Sequence, residues 1–123
     1  MEKGESPASI SGKLITNPVV TGAMNPTVRK AIDALQRGEV RTWLSLFVRN
    51  AVLYDHGNAM AAGEFIEKSV GREWFTRIDR TDDAGLSVFG SYHTVQWGDF
   101  LVSFRFVLAG EEICRLDVSQ VAY

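Results

Sequence analysis

The sequence predicts an α+β domain in which a strongly curved antiparallel sheet wraps helices gathered on one of its faces into a cone. Three observations carry this expectation. Apolar residues recur at helical spacing between Pro26 and Ile78, the pattern alternates with period two from Leu86 onward, and Gly98-Asp99 and Ala109-Gly110-Glu111 cut that second half into hairpin-sized pieces.

Residues 1–25 mix Gly, Ser, Pro and Thr with short apolar pieces, Leu14-Ile15 and Val19-Val20, at no regular spacing. They are expected to form a flexible arm or to lie across a partner subunit. The domain proper, residues 26–123, opens at Asn25-Pro26, where Asn caps a helix and Pro suits its first position because the missing N–H would be orphaned there anyway. Val28, Ile32 and Leu35 form one stripe with Ala31, and Gly38 ends the helix. Val40, Trp43, Leu44 and Phe47 repeat the helical spacing at once, so a second helix packs against the first as a hairpin.

Ala51 to Asp55 reads as a short strand closed by the turn-prone His56-Gly57-Asn58. A third helix is expected over Glu64 to Ile78, with Phe65, Ile66, Val70, Trp74, Phe75 and Ile78 buried, although Gly71 weakens it by about 1 kcal/mol. Asp79 to Gly85 is a surface loop. Leu86 to Trp97, Phe100 to Leu108 and Glu112 to Ala122 then form an antiparallel meander.

At 123 residues the chain buries roughly two-thirds of its unfolded surface and needs no staple to hold one core. Thirteen Lys and Arg against fifteen Asp and Glu leave a net charge of -2, with no basic excess to displace counterions from nucleic acid. Cys114 is the single cysteine, so no internal disulfide forms. Met1 to Ser6 lacks the basic start and apolar run of a secretory signal, and no stretch approaches the roughly twenty apolar residues of a membrane span. A cytoplasmic protein with no nucleic-acid or membrane partner is expected. Glycine-rich nucleotide loops and the Gly-x-Ser-x-Gly elbow are absent. His56 and His93, with no clustered cysteines or carboxylates, fall short of a metal site, and no cofactor is expected.

Reading Gly98-Asp99 as a two-residue turn pairs Trp97 with Phe100, Val95 with Val102, His93 with Phe104 and Ser91 with Phe106. Phe100, Val102, Phe104, Phe106 and Leu108 make the strongest apolar face, so His93 and Trp97 are expected to point inward with them. In the last strand Cys114, Leu116, Val118 and Ala122 join that face if the loop at Ala109 to Glu111 has three residues, which leaves Arg115 and Asp117 outside near Arg105. A two-residue loop swings the two charges inside.

Two adjoining helices, a short strand ending in Tyr54-Asp55, a third helix and a three-strand meander resemble the nuclear transport factor 2-like superfamily, which includes ketosteroid isomerases, scytalone dehydratase and SnoaL-like polyketide cyclases. The likeness spans residues 26–123 and rests on the element order, the Arg37-Gly38-Glu39 break, Leu46-Phe47 before the first strand, and Gly110-Glu-Glu-Ile113 leading into Arg115-Leu-Asp117. The resemblance implies a concave sheet around a mostly apolar cavity and homodimers formed through the outer sheet face. It implies no particular reaction. Asp55 stands where ketosteroid isomerases place their proton-shuttling Asp. The oxyanion-hole residues are missing, since Pro26 to Arg37 contains no Tyr and Phe100 to Leu108 no acid. The His-centred elimination of scytalone dehydratase has only His56 and His93 to draw on.

Two expectations about function follow from these readings. In the first, the domain is a cofactor-free binder of a small apolar molecule, with turnover by isomerisation, dehydration or cyclisation. Asp55 then accepts a proton, His93 donates one, and Trp43, Trp97, Phe104 and Leu116 line the cavity. In the second, aromatic side chains fill the cone and the domain is a binding or homodimeric association module. Asp55 is then a turn-capping side chain, His93 a satisfied core histidine and the tryptophans core. Cys114 is buried filler under either reading. An enclosed cavity of about 300 to 1,000 Å³ with Asp55 and His93 on its wall separates the first from the second.

Overall fold

The computed structural model describes residues 23–121. Helix α1 spans Pro26–Arg37, α2 Val40–Ser45 and α3 Ala62–Ser69. The strands are β1 Phe47–Asp55, β2 Asn58–Met60, β3 Glu73–Thr81, β4 Ser87–Thr94, β5 Gly98–Ala109 and β6 Glu112–Gln120. They form one open six-stranded sheet in the order β2-β1-β6-β5-β4-β3, with β1 parallel to β6 and every other pair antiparallel. The fold is α+β, as expected. The expected arm over residues 1–25 lies outside the described residues except for Ala23 to Asn25. No helix among the described residues is long and apolar enough to cross a membrane.

Helix α1 is capped as its sequence dictates. Asn25 Oδ1 accepts from the Thr27 N–H at 2.8 Å, Pro26 occupies the first turn, and Gly38 closes the helix at φ +70°. Its inner stripe includes one polar side chain, Gln36. The Gln36 amide donates to the Phe75 carbonyl at 2.9 Å and accepts the Phe75 N–H at 2.7 Å, which fastens α1 to β3 without leaving a buried polar atom unpaired.

Helix α2 is shorter than its apolar spacing suggests. Trp43 is its buried residue, and Phe47 is the first residue of β1 rather than a continuation of the helix.

The third helix ends at Ser69, and Gly71 at φ +73° turns the chain into β3, so Trp74, Phe75 and Ile78 belong to a strand. The reason for the mistaken period is physical. β3 shifts register against β4 between Phe75 and Arg77 and again between Ile78 and Arg80. Each bulge inserts one residue, so the buried positions fall at Phe75, Ile78 and Thr81, every third residue, and imitate a helix. Gly90 stands opposite Ile78, and a Cβ there would lie 2.1 Å from the Arg77 carbonyl oxygen.

The β4–β5 hairpin corrects a second expectation. Its loop is Val95 to Trp97, with Thr94 paired to Gly98, His93 to Asp99 and Tyr92 to Phe100. Relative to the expected pairing the register slips by an odd number of residues, which exchanges the faces of β4. Tyr92 and Val88 enter the core beside the buried Phe104 and Phe106, while His93 turns outward and Trp97 is 74% exposed.

At the β5–β6 hairpin the turn is the two-residue Gly110-Glu111, yet Arg115 and Asp117 remain outside. A bulge reconciles the two. Leu108 pairs with Ile113 and Val107 with Arg115, so Cys114 is the extra residue, half-buried instead of inward, and Ile113 takes the core position. Asp117 stands opposite Arg105 on β5, and its carboxylate is taken by Arg115 of its own strand at 2.8 and 3.2 Å. Ala122, expected on the inner face, lies outside the described residues.

Candidate functional site

The site forms where the C-terminal end of β1 meets α3 and the first residues of β3. β1 ends at Asp55, and His56 and Gly57, at φ 53° and 85°, make the two-residue turn into β2 that returns Asn58 opposite Asp55. His56 donates its backbone N–H to the Val118 carbonyl at 2.8 Å, which pins this turn to β6. The Asp55 carboxylate is thereby held with only 14% of its side chain exposed.

Asp55 meets two neighbours. Lys68 at the end of α3 donates its ammonium to Oδ2 at 2.7 Å, and His56 Nδ1 lies 2.8 Å from Oδ1. The carboxylate holds the Lys68 ammonium above its ordinary pKa, first through this hydrogen bond. One turn of chain further on stands a second carboxyl, Glu73, at the start of β3. Glu73 Oε1 accepts from the Tyr92 hydroxyl at 3.3 Å and from Ser69 Oγ at 3.5 Å. Burial raises the Glu73 pKa and the Asp55 charge adds to the rise, against Lys68 and the two hydroxyl donors, which lower it. Burial also pushes the Tyr92 phenol well above its ordinary value, so it remains protonated as a donor.

Asp55, Lys68, Glu73 and Tyr92 line a partly open hollow of about 90 Å³. It shares His56, Trp97 and Phe100 with a shallower hollow of about 440 Å³ that Asp99 and Gln120 also line. The assembly has a polar floor carrying paired carboxyls around one ammonium, and an aromatic wall at its mouth. Such an arrangement has room for one polar group beside the carboxyls and for apolar surface against the rings.

Of the residues expected to form the site, the structure brings Asp55 and Trp97 to this hollow and leaves the others elsewhere. His93 lies on the opposite face of β4 from Tyr92. Its Nδ1 is 2.6 Å from Asp99 Oδ1, and its ring sits on Trp74 with centroids 4.7 Å apart. The expected Asp55–His93 pair therefore does not form.

Trp43, Phe104 and Leu116 are fully buried. The Trp43 indole donates to the Ala62 carbonyl at 3.0 Å and its ring packs on Phe47 and Phe65, so it is core instead of cavity wall. Phe104 is surrounded by Phe65, Phe75 and Tyr92. The hollow of about 90 Å³ beside Asp55 falls below the roughly 300 Å³ expected of a turnover cavity, and these buried rings fill the interior.

Lys68, Glu73 and Tyr92 were not foreseen. Lys68 shows in the sequence only as one polar residue on a helix, and Glu73 is masked by the false helical period of β3. Tyr92 was recoverable: it alternates with Val88 and Gly90, and a loop of Val95 to Trp97 places it inside.

No protein-family model and no curated protein matches the sequence. Solved structures do match by shape. The orange carotenoid protein of Anabaena (Nostoc) sp., solved with canthaxanthin, is similar over 95% of this chain at a TM-score of 0.73 and 20% identity. This chain spans 41% of that protein's length. An NTF2-like protein of unknown function from Cytophaga hutchinsonii gives a TM-score of 0.65 at 12% identity, covering 83% of this chain and 95% of that one. A hypothetical protein of ketosteroid isomerase-like fold from Catenulispora acidiphila, in complex with trimethylamine, gives 0.56 at 16% identity, covering 78% and 85%. At these identities the likeness establishes the fold: the domain has the nuclear transport factor 2-like architecture that its element order resembles.

Proposed function

We propose that the domain is a small-molecule-binding module that takes its ligand at the open end of the cone. The polar end of the ligand meets Asp55, Lys68 and Glu73, and its apolar body lies on Phe100 and Trp97. One observation carries this reading: Glu73 is a half-buried carboxyl at the base of a hollow whose mouth is flanked by a tryptophan 74% exposed to solvent. An indole left so open costs hydrophobic free energy unless a partner covers it.

Two proteins that share this fold over all or part of their length were solved with small organic ligands, canthaxanthin and trimethylamine, which supports the reading. Asp55 is retained as a site residue on this reading, as an anchor, and no proton-transfer partner is assigned to it. Tryptophan fluorescence of Trp97 under titration with small aromatic molecules tests the proposal. Saturable quenching that Trp97→Ala abolishes and Asp55→Asn weakens is expected. A Trp97 signal indifferent to every such molecule, in a folded protein, overturns the proposal.

A homodimer through the outer sheet face is the second reading. Val52 and Val107, 40% and 48% exposed, flank Arg115 on that face and form an apolar row around an ion pair. Sedimentation at twice the chain mass, reduced to the monomer by Val107→Glu, is the expected result. A monomer at all concentrations rules this reading out.

A further inference from the structure

We propose that the hollow is selective for an ammonium group, so that its ligand is an organic amine, protonated at neutral pH, carrying an aromatic or aliphatic body. This inference rests on the binding reading above and names the class of ligand. Of the groups lining the smaller hollow, Asp55 and Glu73 carry carboxyls against the single ammonium of Lys68, and the His56 ring is held on Asp55 at 2.8 Å. Lys68 is spent on Asp55 at 2.7 Å. Among the described residues Glu73 receives hydroxyl donors, from Tyr92 and Ser69, both to the same oxygen, Oε1. Its charge is thus stabilised at a distance by the Lys68 ammonium and directly by two hydroxyl dipoles, with no cation bonded to it, while burial, the largest influence, and the neighbouring Asp55 act against it.

A cation placed in the hollow reverses that imbalance. An ammonium donates to Glu73 as a charge-assisted hydrogen bond and screens the repulsion between the two carboxylates. A hydroxyl ligand supplies the hydrogen bond without the screening, and a carboxylate ligand adds a third negative charge. The rings of Phe100 and Trp97 at the mouth favour the same sign, because aromatic faces present negative potential to a cation. Arg72 lines the groove outside, with Lys68 and Glu73, and does not line the smaller hollow.

On this proposal the ammonium and its first carbon occupy the hollow of about 90 Å³, and the rest of the molecule lies over Trp97 and Phe100, which also line the hollow of about 440 Å³.

Three probes of one shape and different charge decide the matter: benzylamine, benzyl alcohol and benzoate, titrated into the full chain near neutral pH by calorimetry with Trp97 fluorescence in parallel. Benzylammonium is expected to bind about tenfold more tightly than benzyl alcohol, and benzoate more weakly than either. Glu73→Gln is expected to remove the preference for the amine, and Lys68→Gln to strengthen it. If Glu73→Gln fails to fold, the Lys68→Gln comparison decides. Equal affinity for amine and alcohol, or a Lys68→Gln variant with unchanged preference, overturns amine selectivity and leaves the binding reading standing. A folded protein that binds none of the three overturns both.

Discussion

The Tyr92 hydroxyl reaches Glu73 Oε1 at 3.3 Å from inside the core, its own side chain only 2% exposed. The phenol that supports the polar floor of the hollow is therefore also part of the aromatic packing around Phe75 and Phe104. Floor and core are one structure, so the site is positioned as rigidly as the core is packed.

Removing that hydroxyl tests the connection. Tyr92→Phe keeps the ring and deletes one donor to Glu73, so stability should fall by about 1 kcal/mol. The Glu73 pKa should rise further, since the lost bond favoured the ionised carboxyl. Carbon-detected NMR titration of the Glu73 carboxyl reports the shift, and a pKa unchanged or lowered in the variant contradicts the assignment.

Glu73 also gives stability a pH dependence of definite sign. Its folded pKa lies above the ordinary 4.5, so between those two values the folded state holds more proton than the unfolded one. The contribution of this group is complete below 4.5 and is lost as pH rises through the folded value. Denaturant unfolding of the natural chain and of Glu73→Gln, compared across pH, should show the natural chain losing ground to the variant as pH increases. A constant difference between them refutes the raised pKa.

Trp43 belongs to the core, and its replacement should behave accordingly. Trp43→Phe removes the indole donor to the Ala62 carbonyl, which keeps its place at the start of α3, and leaves space beside Phe47 and Phe65, a loss of about 1 to 3 kcal/mol. Ligand affinity at the mouth should stay the same. A variant of normal stability and impaired binding would return Trp43 to the site.

Gly90 is required by contact rather than by backbone angle. Gly90→Ala forces a Cβ to within 2.1 Å of the Arg77 carbonyl oxygen, where only a backbone movement in β3 relieves the clash. The expected cost is about 3 kcal/mol, visible as a lowered thermal midpoint. A midpoint equal to that of the natural chain would mean that the β3 bulges yield freely.

Local signals made the beginning of the domain legible. Asn25, Pro26 and Gly38 define α1 by capping chemistry that acts within a few residues, and the inward set Phe104, Phe106, Leu116 and Val118 follows from alternation alone. The same holds for Asp55, which ends its strand at a His56-Gly57 turn readable from residue type.

What the sequence left open was decided by register. The bulges in β3 gave a strand the period of a helix, and a three-residue loop in place of a two-residue turn exchanged His93 for Tyr92 on the inner face. A bulge or a loop of one more residue barely alters composition, yet it moves every side chain beyond it to the other side of the sheet. The pairing that selects among these alternatives comes from distant strands packing on the helices, so only the tertiary structure determined that Lys68, Glu73 and Tyr92 gather around Asp55.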